Sequence, residues 1–180
     1  KFEFNVEDIK KNKLKIGNCH YVFNNELIVG ENLPRVKDLD DIPSPYLSGM
    51  LDKFFDKELN PQVQTSRGCP FKCSFCQEGK DYFNKICKYS VERVIADLEY
   101  ITKRVKVPNL CIVDSNFGMY KQDVEIAKAI DVIRKRDGWP KYIETSLGKS
   151  KKVMEVLSIL EGGLTSIVAV QSTDSSVLAK

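Results

Sequence analysis

The sequence lacks a long apolar segment. No apolar run approaches the roughly 18 residues that a membrane-spanning helix requires, and residues 1–17, KFEFNVEDIKKNKLKIG, contain no apolar core of the kind found in signal peptides. The 28 basic and 25 acidic side chains leave a net charge of +3 and are spread along the whole chain. We therefore expect a cytoplasmic protein without a concentrated charged surface for a membrane or a nucleic acid.

The sequence also lacks a fourth cysteine beside three clustered ones. Cys69, Cys73 and Cys76 follow the spacing C-x3-C-x2-C within TSRGCPFKCSFCQ, residues 65–77. The remaining cysteines stand singly: Cys19, Cys87 and Cys111. Because disulfides are rare in a reducing compartment, the cluster favours metal or redox chemistry over a disulfide framework. Three thiolates at this spacing can hold three corners of one small inorganic centre.

Two common centres require four ligands. A structural zinc ion binds a tetrahedron of ligands, often two C-x2-C pairs, and only Cys73 and Cys76 form such a pair. We expect His20 to be an ordinary polar side chain. A ferredoxin-type cluster likewise uses four cysteines, and we predict that neither Cys87 nor Cys111 is a ligand. Three ligands with an open position are typical of a catalytic metal site, while a zinc-binding interaction module without catalysis is the alternative.

Helical patterns recur after the cysteines. Apolar residues spaced three and four apart predict a first helix over 91–105, capped by Ser90. The same spacing predicts a second helix over 122–136 and a third over 153–160. We expect the third helix to end at Gly162-Gly163, because glycine best adopts the left-handed conformation found at helix ends.

Short apolar runs separate these helices. They lie at 110–113, 142–143 and 167–170, and residues 62–66 would form the strand before the cysteines. Runs without polar alternation are typical of strands that are covered on both faces. The alternation of strand and helix predicts an α/β fold with a parallel sheet of about four βα units, too few to close a barrel.

The first 60 residues do not follow this alternation. The run HYVFNNELIV, residues 20–29, predicts a two-stranded hairpin that turns at Asn24-Asn25. Residues 33–46 form a linker rich in proline and aspartate, and residues 47–59 are predicted to form a short amphipathic helix. We therefore expect an irregular lead-in segment at 1–60 and a core domain at 61–180.

The cysteine loop and the units after it resemble the radical S-adenosylmethionine (radical SAM) superfamily. Its members carry a C-x3-C-x-aromatic-C loop after the first strand of a partial βα barrel, and Phe75 stands at the aromatic position here. The resemblance covers residue 62 to the end and implies a partial parallel (βα) barrel. It also implies that Cys69, Cys73 and Cys76 hold a 4Fe–4S cluster, with S-adenosylmethionine bound at the open iron beside Phe75.

The run LDDIPSPYLSGMLDKFF, residues 39–55, narrows the resemblance. It is similar to the linker that precedes the radical SAM core in the cobalamin-dependent subgroup. The resemblance implies reductive cleavage of S-adenosylmethionine to a 5′-deoxyadenosyl radical, cobalamin in the full-length protein, and an electron donor such as flavodoxin or ferredoxin. The substrate is unknown, and a methylthiotransferase-like radical SAM enzyme is the alternative within the superfamily.

Both ends of the sequence predict a fragment. The chain begins with Lys1 and stops at SSVLAK, which resembles the opening turn of an unfinished helix. A superfamily core continues through more strands than the four predicted here. We therefore expect this chain alone to bind S-adenosylmethionine weakly and to turn it over poorly.

Polar residues follow three of the predicted strands. Asp114–Asn116, Glu144–Ser146 and Gln171–Ser172 come directly after apolar runs, and ligands collect at the carboxyl ends of parallel strands. Each residue could instead cap a loop, face solvent or satisfy backbone groups. The resemblance assigns Asp114 and Asn116 to the amino group of S-adenosylmethionine and Gln171 to its ribose, although the second strand lacks the Gly-Gly-Glu of many members.

Overall fold

A computed structural model describes residues 5–56, 58–167, 170 and 172–178. Gln171, which the resemblance assigns to the ribose contact, lies outside the described residues, as do residues 168 and 169 of one predicted strand. The chain divides into two compact units, Lys1–Lys37 and Asp38–Lys180. The division predicted between residues 60 and 61 stays a prediction.

The first unit contains helix α1 (Val6–Lys11) and the strands β1 (His20–Phe23) and β2 (Glu26–Val29). The two strands pair in antiparallel register. Asn24 and Asn25 form the turn with φ angles of 48° and 62°, and asparagine is among the residues that best tolerate this left-handed conformation. The predicted hairpin is confirmed.

The second unit is built on a four-stranded parallel sheet. In chain order its elements are β3 (Gln62–Val63), β4 (Ser66–Arg67), β5 (Cys87–Lys88), α2 (Val91–Thr102), β6 (Asn109–Phe117), α3 (Lys121–Asp137), β7 (Tyr142–Leu147), α4 (Lys152–Ile159), β8 (Leu164–Ile167) and α5 (Ser175–Leu178). The sheet has the order β3-β6-β7-β8, and each neighbouring pair is parallel. The predicted α/β fold with about four parallel strands is confirmed.

Local signals set the helix ends. The Ser90 side chain accepts a hydrogen bond of 3.2 Å from the Arg93 N–H and so caps α2 as predicted. Helix α3 ends at Gly138, which has a φ angle of 73° and lies in the left-handed region. Helix α4 ends at Ile159, before the predicted glycine stop, and the turn that follows contains Gly162 at a φ angle of 77°.

The two faces of the sheet have different environments. Leu110 and Ile112 of β6 are buried in one hydrophobic core with residues of α2, α3 and α4, including Leu98 and Ile130. Side chains alternate between the faces of a strand, and Cys111, Val113, Glu144 and Thr165 line a cavity of about 350 Å³. Helices therefore cover one face, while the other face borders open space.

Two predictions about element lengths are wrong. The described part of residues 47–59 forms turns and one short 3-10 helix, Asp52–Phe54, because Gly49 has a φ angle of 72° and interrupts helical geometry. Strands β6 and β7 continue past their apolar runs, so Asp114–Asn116 and Glu144–Ser146 lie inside strands. None of the described helices has the length and apolar character to cross a membrane.

Candidate functional site

The cysteine motif lies on a loop whose two ends are joined by a short pair of strands, β4 and β5, which we call the clamp. Strands β4 and β5 are antiparallel and pair Ser66 with Lys88 and Arg67 with Cys87. The Cys69 N–H extends this pairing by donating to the Phe83 carbonyl oxygen at 3.0 Å. Both ends of the loop are therefore fixed at the same place.

Two glycines permit close backbone approaches within the loop. Gly68 has a φ angle of 106°, and a Cβ there would lie 2.6 Å from the Phe83 carbonyl oxygen. A Cβ at Gly79 would lie 2.4 Å from the Cys73 carbonyl oxygen. Cys73 also accepts the Cys76 N–H through its carbonyl oxygen at 3.1 Å, so the last two cysteines share one tight turn.

The three cysteines line one cavity of about 280 Å³, just below the range of about 300–1,000 Å³ typical of ligand sites. Cys69 is 9% exposed, whereas Cys73 and Cys76 are exposed. Phe75 is 70% exposed and also lines the cavity. Ser115 and Asn116 from β6 and Ser146 from β7 complete its polar wall. The loop and the ends of two parallel strands therefore meet at this cavity.

Asp114 fixes the start of the cysteine loop. Its carboxylate is 3% exposed and accepts hydrogen bonds from the backbone N–H of Thr65 at 2.7 Å and of Ser66 at 3.3 Å. Both hydroxyl groups also donate to it, that of Ser66 at 3.0 Å. Burial raises the pKa of Asp114, and the bonds from Thr65 and Ser66 oppose that rise. The residues that line the 280 Å³ cavity do not include Asp114.

The next two residues of β6 contact the loop farther along. Ser115 Oγ donates to Glu78 Oε1 at 2.8 Å, and Asn116 Nδ2 donates to Cys69 Sγ at 3.1 Å. The register between β6 and β7 shifts between Ile112 and Phe117, and such bulges redirect side chains. Both Ser115 and Asn116 therefore reach the loop although they are adjacent in a strand.

Sequence reasoning missed the loop contacts of Thr65, Ser66 and Glu78. The one available signal was the polar triplet 114–116 within an otherwise apolar strand. The run 110–113 is not covered on both faces as expected: Leu110 and Ile112 are buried, but Val113 is 42% exposed and Cys111 is half-buried. Burial raises the pKa of the Cys111 thiol, and the nearby Glu144 carboxylate adds to the rise.

The arrangement of the thiols bears on which centre they fit. Among the residues that the structure describes, no group of three His, Cys, Asp or Glu side chains is arranged to hold a single metal ion. A zinc ion, with Zn–S bonds of about 2.3 Å, requires its thiolates nearly in contact. A cluster of several irons binds thiolates around a larger object. The structure shows that Cys69, Cys73 and Cys76 share one cavity.

Residues 63–176 match the family described as the Radical SAM superfamily. The chain belongs to the radical SAM superfamily. It is 31% identical over 164 residues to the cobalamin-dependent radical SAM methyltransferase TokK of Streptomyces tokunonensis, a match that covers 85% of this chain and 24% of that relative. It is 32% identical over 164 residues to the hopanoid C-3 methylase of Methylococcus capsulatus, covering 85% and 30%. The chain thus spans about a quarter of the length of TokK.

Solved structures share the fold of this radical SAM chain. The cobalamin-dependent S-adenosylmethionine radical enzyme OxsB, with aqua-cobalamin and S-adenosylmethionine bound, matches with a TM-score of 0.62 and 19% identity, over 94% of this chain and 26% of that one. The methyltransferase TsrM from Kitasatospora setae, with cobalamin and a [4Fe-4S] cluster bound, matches with a TM-score of 0.55 and 15% identity, over 70% and 23%. The predicted family and partial barrel are confirmed.

Proposed function

We propose that this chain forms part of the catalytic core of a cobalamin-dependent radical SAM methyltransferase, in which Cys69, Cys73 and Cys76 hold a 4Fe–4S cluster. One observation carries the proposal: the three thiols line a single cavity together with Ser115 and Asn116 of β6. This is the carboxyl edge of a parallel sheet, where α/β proteins bind their ligands. The open fourth position is left for S-adenosylmethionine.

The side chains around the cavity have distinct tasks. When bound and reduced, the cluster supplies the electron that cleaves the sulfonium of S-adenosylmethionine. Asp114 holds the root of the loop through Thr65 and Ser66, and this use of its carboxylate favours a positioning role over the predicted contact with the amino group. Phe75 contributes an apolar ring to the wall of the cavity. The ribose contact of Gln171 stays a prediction.

Our proposal for the overall reaction of the whole protein is based on similarity to its relatives. TokK is a cobalamin-dependent methyltransferase by name, and similarity to it favours methyl transfer over methylthio transfer. We propose that the whole protein uses cobalamin and receives electrons from a donor such as flavodoxin or ferredoxin, with a substrate still to be identified. We propose a reducing, cytoplasmic setting for the protein, as the clustered cysteines of the sequence predict.

We also propose that the chain by itself turns over S-adenosylmethionine poorly. Val113 is 42% exposed and Ile167 is 75% exposed on the face of the sheet that borders the cavities. A sulfonium bound there would remain open to water, which weakens both its orientation and the protection of a radical.

Anaerobic purification and metal analysis test the proposal. We expect a brown protein with about four irons and four sulfides per chain, as for one cubane cluster, and a broad absorption that bleaches on reduction with dithionite. The sample is reconstituted with iron and sulfide, with zinc offered in parallel. A colourless protein that takes up stoichiometric zinc and no iron under these conditions would establish the zinc-binding module instead.

A further inference from the structure

The hydrogen bond between Asn116 and Cys69 distinguishes this cysteine from the other two. Asn116 Nδ2 lies 3.1 Å from Cys69 Sγ, a close approach for a donor to sulfur. Cys69 is also the buried member of the motif, while Cys73 and Cys76 are exposed. A donor in a partly buried setting acts more strongly than one in water, because less solvent competes for the bond.

Neighbouring contacts hold the Asn116 amide in place. Ser115 is tied to the loop through Glu78, and Phe117 is fully buried in the core. After the strand, Asp123 accepts the backbone N–H of Gly118 at 2.9 Å and so fixes the turn into α3. The backbone of Asn116 therefore lies between two anchored residues.

We propose that Asn116 is a positioning residue that orients Cys69 and raises the reduction potential of the cluster, a proposal that rests on the function proposed above. Reduction adds negative charge, which spreads onto the ligand sulfurs. An N–H group that donates to one of these sulfurs stabilises the reduced form more than the oxidised form. Hydrogen bonds to sulfur are one of the factors that set the potentials of iron–sulfur clusters.

The decisive variant is Asn116→Leu in the full chain, reconstituted anaerobically with iron and sulfide. It removes the donor and keeps a side chain of similar size. We expect the midpoint potential, measured by electron paramagnetic resonance during a redox titration, to shift to a more negative value. Asn116→Asp, which has nearly the same shape but carries a negative charge beside the sulfur, should shift the potential further in the same direction.

Two controls separate the amide from general effects on the loop. Asn84→Leu makes the same chemical change within the loop, at a residue whose amide donates to Asp81. Gln122→Leu removes an amide donor outside the loop, where Gln122 Nε2 donates to the Tyr89 carbonyl oxygen at 2.8 Å, and leaves the amide at Cys69 in place. We expect both control proteins to keep the parent midpoint potential and the parent iron content.

Each outcome decides a separate point. A parent protein that binds no cluster refutes the proposed function itself. If all variants hold the cluster, an unchanged potential in Asn116→Leu overturns the inference, and so does an equal shift in Gln122→Leu. If Asn116→Leu loses iron, the potential of Asn116→Asp decides in its place. Loss of iron from both Asn116 variants supports positioning of Cys69 only while the two controls stay fully loaded; loss from the controls as well overturns it.

Discussion

Asp114 and Thr65 lie 49 residues apart in the chain and are joined by two hydrogen bonds, one of 2.7 Å from the Thr65 N–H and one from its hydroxyl group. Thr65 is fully buried. The bond therefore connects the interior of the sheet to the first residues of the cysteine loop. This junction sets where the cysteine loop leaves the sheet.

Replacing Asp114 with alanine should destabilise the fold. Each buried donor of Thr65 or Ser66 that loses its acceptor costs about 1–3 kcal/mol, so the loss in unfolding free energy should exceed that of an ordinary surface change. Urea denaturation measures it. Asp81→Ala is the matched control, because Asp81 is exposed and removal of its contacts should change stability by no more than about 0.5 kcal/mol. Equal values for the two variants would contradict the role of Asp114.

The pH dependence of Asp114→Asn should differ from that of the parent. Burial raises the pKa of Asp114 above its ordinary value of 3.8, so the folded state binds its proton more tightly than the unfolded state does. The parent should therefore lose stability relative to the variant as pH rises from about 3.8 through the raised pKa. Burial also raises the pKa of Asp123, and the charge on Asp114 adds to that rise, so removing this charge acts in the same direction.

Urea denaturation of the parent and Asp114→Asn at a series of pH values checks this sign. The quantity compared is the difference in unfolding free energy between the two proteins at each pH. If the parent instead becomes more stable relative to the variant as pH rises, the hydrogen bonds from Thr65 and Ser66 lower the pKa of Asp114 by more than burial raises it.

Replacing Cys69, Cys73 or Cys76 with alanine should abolish cluster assembly, because two thiolates leave two corners of the cluster without a protein ligand. Cys87→Ala and Cys111→Ala are the controls and should keep full iron. Iron and sulfide content after anaerobic reconstitution measure the effect. Loss of iron from Cys87→Ala equal to that from the loop variants would indicate a four-cysteine site and remove the argument for an open iron.

Gly68→Ala should damage the clamp at the base of the loop. The new Cβ would lie 2.6 Å from the Phe83 carbonyl oxygen, at a φ angle of 106° that side chains rarely adopt. Gly138→Ala is the matched control, since Gly138 has a φ angle of 73° with no atom near its Cβ position. The control should cost about 1–2 kcal/mol for the left-handed backbone alone. Gly68→Ala should cost more in thermal or urea unfolding and should lower iron retention, which Gly138→Ala should leave unchanged.

The sequence predicted the parallel alternation and the cysteine motif because both depend on local patterns. It did not predict the full length of β6, since Asp114, Ser115 and Asn116 break the apolar run yet remain in the strand through contacts with a distant loop. A buried strand excludes polar side chains unless they find hydrogen-bond partners. Here another segment of the chain supplies those partners, so the strand continues through the polar residues.

The prediction of a helix at 47–59 was wrong for a similar reason, namely contacts with residues distant in the sequence. The spacing of its apolar residues is helical. However, the Tyr46 hydroxyl group donates to the Gln62 carbonyl oxygen and accepts the Gln62 N–H. Gly49, with its positive φ angle, then turns the chain. Leu51 and Phe55 reach the core from turns. Tertiary contacts thus outweighed the local pattern, and a single sequence does not display such contacts.

The triplet 114–116 reaches three points of the loop: its root, its first cysteine and the turn past its third. One residue inserted between Asn109 and Val113 would move each of these side chains by one position and turn it to the opposite face of the sheet. All three contacts would then be lost together. Changes of length at the exposed part of the loop around Lys80 and Asp81 leave the triplet untouched. An engineer can therefore vary the size of the loop tip, but the residue count of β6 has to stay fixed.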